Sequence, residues 1–179
     1  MGDILGVKEY GIEGGRPINL KKLEYLGKGE EIYRKAREVL VRGCNDIFVE
    51  YKGGILLVVR DGTPAKGELW PIGGGIERGV PLIKSIKKKV WEECGLKLKH
   101  IKFLGIARHF WNSGPKGGSK GADELSLAYF ARGIGRLKLD NKHKKPVIVT
   151  PKKYTKLKKS LHPWVRDFMD KAILRVGKR

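Results

Sequence analysis

Apolar positions recur at helical spacing in some stretches of the chain and at strand spacing in others. Glu30 to Arg42 sets Ile32, Ala36, Val39 and Leu40 three and four residues apart, which predicts a helix with one apolar stripe and Gly43 as its cap. Asp46–Tyr51 and Ile55–Arg60 are β-branched runs on either side of Lys52-Gly53-Gly54, and predict a hairpin. From Leu82 to Cys94 the helical period returns. Leu82, Ile83, Ile86, Val90 and Cys94 share a face, and Gly95 ends the helix. Ile101–Trp111 and Glu124–Ala131 predict strands, separated by a loop over 112–122 rich in Gly and Lys. Arg136–Leu139 and Val147–Val149 predict short strands. Ser160 to Arg175 predicts a closing helix that tolerates Pro163 in its first turn. Gly11, Gly14, Gly15, Gly27 and Gly29 lie among scattered apolar residues before the first helix. The expected organisation is an extended segment over 1–29, then a single α+β layered domain over 30–179 with a basic helical tail.

Composition changes the picture in one respect. At 179 residues, with 40% hydrophobic and 32% charged residues, the chain suits one globular domain with a core of ordinary size. No apolar run reaches the length of a membrane-spanning helix, and Met1–Gly6 lacks the layout of a signal peptide. Cys44 and Cys94 are too few for a disulfide framework or a zinc site, so a reducing, cytoplasmic setting is expected. The charge, however, is extreme. Lys and Arg total 39 against 19 Asp and Glu, a net +20, and such a field draws phosphate-bearing partners. Lys142, Lys144, Lys145, Lys152, Lys153, Lys156, Lys158 and Lys159 crowd one stretch, which is consistent with weak, non-specific binding of nucleic acid or with a merely solvated surface.

The candidate chemistry lies around the glycines. Gly73-Gly74-Gly75-Ile76-Glu77-Arg78-Gly79 is followed, one helix later, by Val90-Trp91-Glu92-Glu93-Cys94-Gly95-Leu96. A triple glycine alone is usually a turn, and a Glu pair usually a solvated face. Together, at this spacing, they resemble the Nudix box of diphosphate hydrolases, G-x5-E-x7-R-E-U-x-E-E-x-G-U with U aliphatic. Gly74, Val90, Glu92, Glu93, Gly95 and Leu96 fall on the pattern. Val80, Lys88 and Lys89 stand where the pattern has Glu, Arg and Glu.

The resemblance implies an α/β/α sandwich around a mixed sheet. It also implies cleavage of a nucleoside diphosphate linked to another group, with Mg²⁺ or Mn²⁺ stabilising the charge that builds on the phosphate oxygens. The ion's ligands would be Glu92, Glu93 and a backbone carbonyl at Gly73 or Gly74, with Glu93 also catalytic. In many members a glutamate at the position of Lys89 is a ligand or base. The family's arginine, here Lys88, pairs with the glutamate replaced by Val80, so that ion pair is not expected. Arg60, Lys66, Arg78 and Lys88 would bind the diphosphate. Lys88 and Lys89 are each placed to meet the acidic pair at helical spacing.

Leu56–Arg60 followed by Pro64-Ala65-Lys66-Gly67-Glu68-Leu69-Trp70 further resembles GDP-mannose mannosyl hydrolases, which attack the sugar carbon and use a loop histidine as base. His143 falls in the matching loop, Asp140 to Lys145, where a solvated histidine is the plainer reading. His109, Asp123, Glu124, Trp70, Trp111 and Tyr129 are further positions where site and core readings compete. The expected function is a Mg²⁺- or Mn²⁺-dependent hydrolase of a nucleotide-linked small molecule, foremost a nucleotide sugar, with a homodimer among the assemblies compatible with it. The alternative is a catalytically silent domain that binds a nucleotide or RNA, in which Lys88 and Lys89 neutralise the acidic pair.

Overall fold

The computed structural model describes Val7, Glu9 and residues 12–13, 16–23, 30–112, 121–141 and 143–178. Its centre is a mixed seven-stranded sheet. The strands are β3 (Arg42–Tyr51), β4 (Gly54–Arg60), β5 (Leu69–Trp70), β6 (Ile72–Gly75), β7 (Lys97–Trp111), β8 (Ala122–Ile134) and β9 (His143–Val149). Five form the order β5-β4-β3-β8-β7, while β6 pairs with β3 and β9 with β4. β3 runs parallel to β8 and antiparallel to β4 and β6, which makes the sheet mixed. Before it, β1 (Ile12–Glu13) and β2 (Arg16–Pro17) make a small separate hairpin.

Strand alternation divides the core between two faces. Phe48, Ile55 and Leu57 point one way, packing with Trp164, Phe168 and Met169 of α4 (Pro163–Ile173). Ile47, Val49, Leu56 and Val58 point the other way, onto Leu82, Ile86, Val90 and Cys94 of α2 (Leu82–Cys94). Helices cover both faces, giving the expected sandwich. Each fully buried Ile, Leu or Phe adds about 1.5–3 kcal/mol over its exposed state. Both ends of α2 are fixed, one by a distant residue and one by its own glycine. Glu9 Oε1 accepts from the Leu82 N–H at 2.8 Å, and Gly95 adopts the left-handed conformation, φ 70°, that a helix-ending residue needs.

Several expectations change. The first helix, α1 (Glu30–Val39), stops short of Arg42, which opens β3. Gly43 lies in that strand and does not cap the helix. The apolar stripe of α1 is largely uncovered, with Ile32, Val39 and Leu40 exposed to solvent. The helix meets the sheet through Arg37 instead. Arg136–Leu139 is not a strand. The Lys138 and Asp140 N–H groups donate to Cys94 and Glu93 carbonyls at 3.0 Å each, so this segment satisfies the end of α2 and joins no ladder. The tail holds two helices. α3 (Pro151–Leu157) begins on a Thr150 cap with Pro151 in its first turn, and Ser160 belongs to a 3-10 turn before α4. Part of the lead-in and most of the loop over 112–122 lie outside the described residues.

Candidate active site

A cavity of about 280 Å³ opens where β3, β4, β6 and α2 converge. Arg42, Cys44 and Asp46 alternate along one side of β3 and all line it. Opposite them runs β6, paired Cys44 with Gly75, Asn45 with Gly74 and Asp46 with Gly73. The glycines follow from close approach. A Cβ at Gly73 would collide with the Asn45 carbonyl and the Asp46 side chain, and one at Gly75 with the Arg42 guanidinium.

Glu93 projects from α2 into this cavity and is almost wholly buried. Its Oε2 accepts from the Gly73 N–H at 3.1 Å, and Lys89 Nζ lies 3.9 Å from its Oε1. Burial pushes the carboxyl up to about 8, against the opposing pull of Lys89 and the Gly73 N–H. His143 completes the wall. Its Nε2 is 3.7 Å from Glu93 Oε2, and its Nδ1 is 2.7 Å from Asp140 Oδ1. The same Asp140 oxygen accepts from the His143 N–H at 3.0 Å. His143 therefore opens β9, paired with Arg60, and is held by Asp140; it is not a solvated loop residue. Paired antiparallel residues share a face, so Arg60 and His143 lie on the same side of the sheet. The Arg60 guanidinium stacks over Trp70 at 5.3 Å.

On the far side, Glu124 gathers cations. Arg37 Nη2 is 2.6 Å and Arg42 Nη1 is 3.4 Å from its Oε1, and the Trp111 indole donates to its Oε2 at 3.3 Å. Asp123 pairs instead with Arg108 at 2.7 Å on the surface. Ser126 donates to the buried Asp46, whose carboxyl burial raises to about 6. His109 is buried at the cavity wall, stacked on Trp111 at 5.5 Å, and burial lowers its pKa. Trp70 lines the cavity too, whereas Tyr129 is core.

The sequence-predicted residues thus divide. Gly73, Gly74, Glu93, Arg60 and His143 are brought together. Lys66 is exposed and outside the lining. Arg78 and Lys88 line a neighbouring groove with Lys21 and Lys84. Lys88 makes no pair at Val80, as expected, but forms one elsewhere: its Nζ sits 2.8–2.9 Å from both Glu77 oxygens. Glu77 replaces the partner lost at Val80, being close enough on the loop to reach back to α2. Lys88 also comes within 3.8 Å of Glu92, whereas Lys89 comes within 3.9 Å of Glu93. Successive helical residues point about 100° apart, so with Glu93 turned inward Glu92 faces solvent, half exposed. Glu77, Asp140, Arg37 and Arg42 are site-forming residues that the sequence reading did not point to, whereas Glu124 was among the candidates. Charged side chains inside a strand that otherwise reads as apolar, Arg42 and Asp46, were the available signal.

The model of the NUDIX domain family matches residues 19–172. The chain belongs to the Nudix family. Its low-salt glycan biosynthesis relative Agl8 of Haloferax volcanii is 25% identical over 126 residues, 70% of this chain and 78% of that protein. Among solved structures, a Nitrosomonas europaea NUDIX hydrolase aligns with TM-score 0.58 at 19% identity, covering 78% of this chain and 92% of its own. The NUDIX domain of Shewanella oneidensis NrtR, complexed with ADP ribose, gives TM-score 0.54 at 15% identity, covering 74% and 88%. These structural likenesses concern the fold.

Nudix hydrolases act on nucleoside diphosphates linked to other groups and use a divalent ion such as Mg²⁺ or Mn²⁺. Here the donor set does not fit a protein-held ion. Such an ion wants several oxygen ligands at once. Glu93 already faces an ammonium and a backbone N–H, Glu92 is turned away, and among the described residues no three His, Cys, Asp or Glu side chains gather to hold a metal.

Proposed function

We propose that this Nudix protein hydrolyses a nucleoside diphosphate linked to another group, most suitably a sugar. The observation that carries the reading is His143 beside Glu93 in one cavity with Arg60 and Lys89, with Asp140 bonded to the imidazole from outside the lining. Asp140 at Nδ1 orients the imidazole with Nε2 toward the cavity, the arrangement of a general base that takes a proton from water. The water oxygen bonds to phosphorus or to the sugar carbon and its proton passes to His143; the electron pair of the broken bond leaves on the departing monophosphate in the first case and on the intact nucleoside diphosphate in the second. Arg60 and Lys89 offset the charge that the leaving group gains. The Agl8 relative's link to glycan biosynthesis favours a sugar, since activated sugars are diphosphate esters.

The test is a panel of nucleotide sugars and dinucleotides, assayed with Mg²⁺, Mn²⁺ or EDTA. At least one substrate turns over, and Glu93→Gln and His143→Gln each lower turnover at least about a hundredfold. Turnover surviving within about threefold in both variants refutes the assigned roles. Binding without turnover across the panel supports the silent nucleotide-binding alternative, which the Lys89–Glu93 contact favours.

A further inference from the structure

Lys89 occupies the α2 position from which the family pattern would present a carboxylate. Its side chain, 22% exposed, lies over the glycine loop, where a Cβ built on Gly74 would meet its Cε at 3.8 Å. Among the described residues it donates no hydrogen bond, and its nearest opposite charge is Glu93 Oε1 at 3.9 Å. Arg60 is similar: its guanidinium covers Trp70 at 5.3 Å and feels the charge of the buried Asp46 carboxyl only through space. Arg37 and Arg42 differ, being committed to Glu124 at 2.6 and 3.4 Å. The cavity therefore presents two cations held by no short carboxylate contact, where its carboxylates, among the described residues, are too dispersed to gather on a divalent ion.

We infer that Lys89 supplies, from the chain itself, the charge a bound divalent ion would supply, so that this pocket takes a nucleoside diphosphate without metal. The inference rests on the pocket being a diphosphate site. An ammonium is a compact cation with three donors, and phosphate oxygens accept charge-assisted hydrogen bonds from it. Metal and lysine exclude one another here. Lys89 removes one oxygen ligand from the helix face and repels a dication at short range. The guanidinium of Arg60, held over Trp70, offers donors to a second phosphate oxygen.

The experiment is calorimetric titration of the whole chain with ADP and with inorganic pyrophosphate, in excess EDTA and in millimolar MgCl₂. Mn²⁺ alone is titrated in parallel by electron paramagnetic resonance. ADP binds with the same Kd in both buffers within about twofold, and Mn²⁺ alone does not bind at sub-millimolar concentration. Lys89→Met lowers ADP affinity in EDTA at least about tenfold without gaining Mn²⁺ binding. Lys89→Glu lowers it likewise and does gain Mn²⁺ binding. Circular dichroism checks that both variants are folded. ADP binding that requires Mg²⁺, or stoichiometric Mn²⁺ binding by the unmodified chain, overturns the inference and leaves the diphosphate site standing. No binding of ADP or pyrophosphate in either buffer overturns the diphosphate site and the inference together.

Discussion

Asp46 carries an acid into the interior of β3. Burial raises its carboxyl from 3.8 to about 6, so the fold keeps a proton that the unfolded chain releases. Stability attributable to this group is therefore highest in acid, falls as pH rises from about 4 toward 6, and levels off above. The full difference is on the order of 3 kcal/mol. Asp46→Asn should raise unfolding free energy at pH 7 by about 1–3 kcal/mol and by much less near pH 4. Urea denaturation at the two pH values checks this, and a gain that does not change with pH would contradict it. Sequence reasoning finds such residues unevenly. Glu93, Gly73 and Arg60 were legible because local spacing announces them. His143 acquires its surroundings from Asp140, and Asp140 acquires its own from the N–H it donates to the Glu93 carbonyl. No local pattern encodes that second meeting. The Lys88–Glu77 pair is similar, since the family pattern names a different partner.

Element by element, the most legible parts were those with strong local punctuation. The β3–β4 hairpin and α2 each have a period and a glycine that ends or turns them. α3 escaped notice because its lysines conceal the period, although Thr150-Pro151 marks its start. α1 was found, but its stripe misled: its attachment is ionic, and periodicity reads only apolar burial. The β3–β6 pairing yields a ranking. Gly73→Ala sets a methyl against the Asn45 and Asp46 backbone, which cannot give way without breaking the ladder, and should cost about 1–3 kcal/mol. At Gly75 the nearest atoms a methyl would meet all belong to the movable end of Arg42, so Gly75→Ala should cost less. Thermal unfolding of the two variants decides, and the reverse order would contradict the pairing.

For the whole molecule, +20 remains the dominant fact. No described helix is long and apolar enough to cross a membrane. Lys152, Lys153, Lys156 and Lys159 are exposed on and just after α3. Single-stranded RNA should bind weakly and without sequence preference, with log affinity falling linearly against log salt by nearly one unit per phosphate contact. Fluorescence anisotropy at two salt concentrations tests this. No binding by micromolar protein at about 50 mM salt rules it out.

One carboxylate decides how firmly α1 is held. Glu124 receives Arg37 from the helix and Arg42 from β3, while Ile32, Val39 and Leu40 stay in solvent. A helix fastened mainly by charge, through Arg37 on Glu124 and Arg42 over the Tyr33 ring at 5.4 Å, can detach while the sheet stays intact. Amide hydrogens of α1 should therefore exchange with deuterium much faster than those of α2, through local opening and not global unfolding. Glu124→Gln should accelerate exchange in α1 and leave α2 unchanged. Cys44 sits in β3 beside these arginines, and a detached α1 would expose that edge of the cavity to solvent. The rate at which the chain admits a large ligand would then follow the breathing of α1.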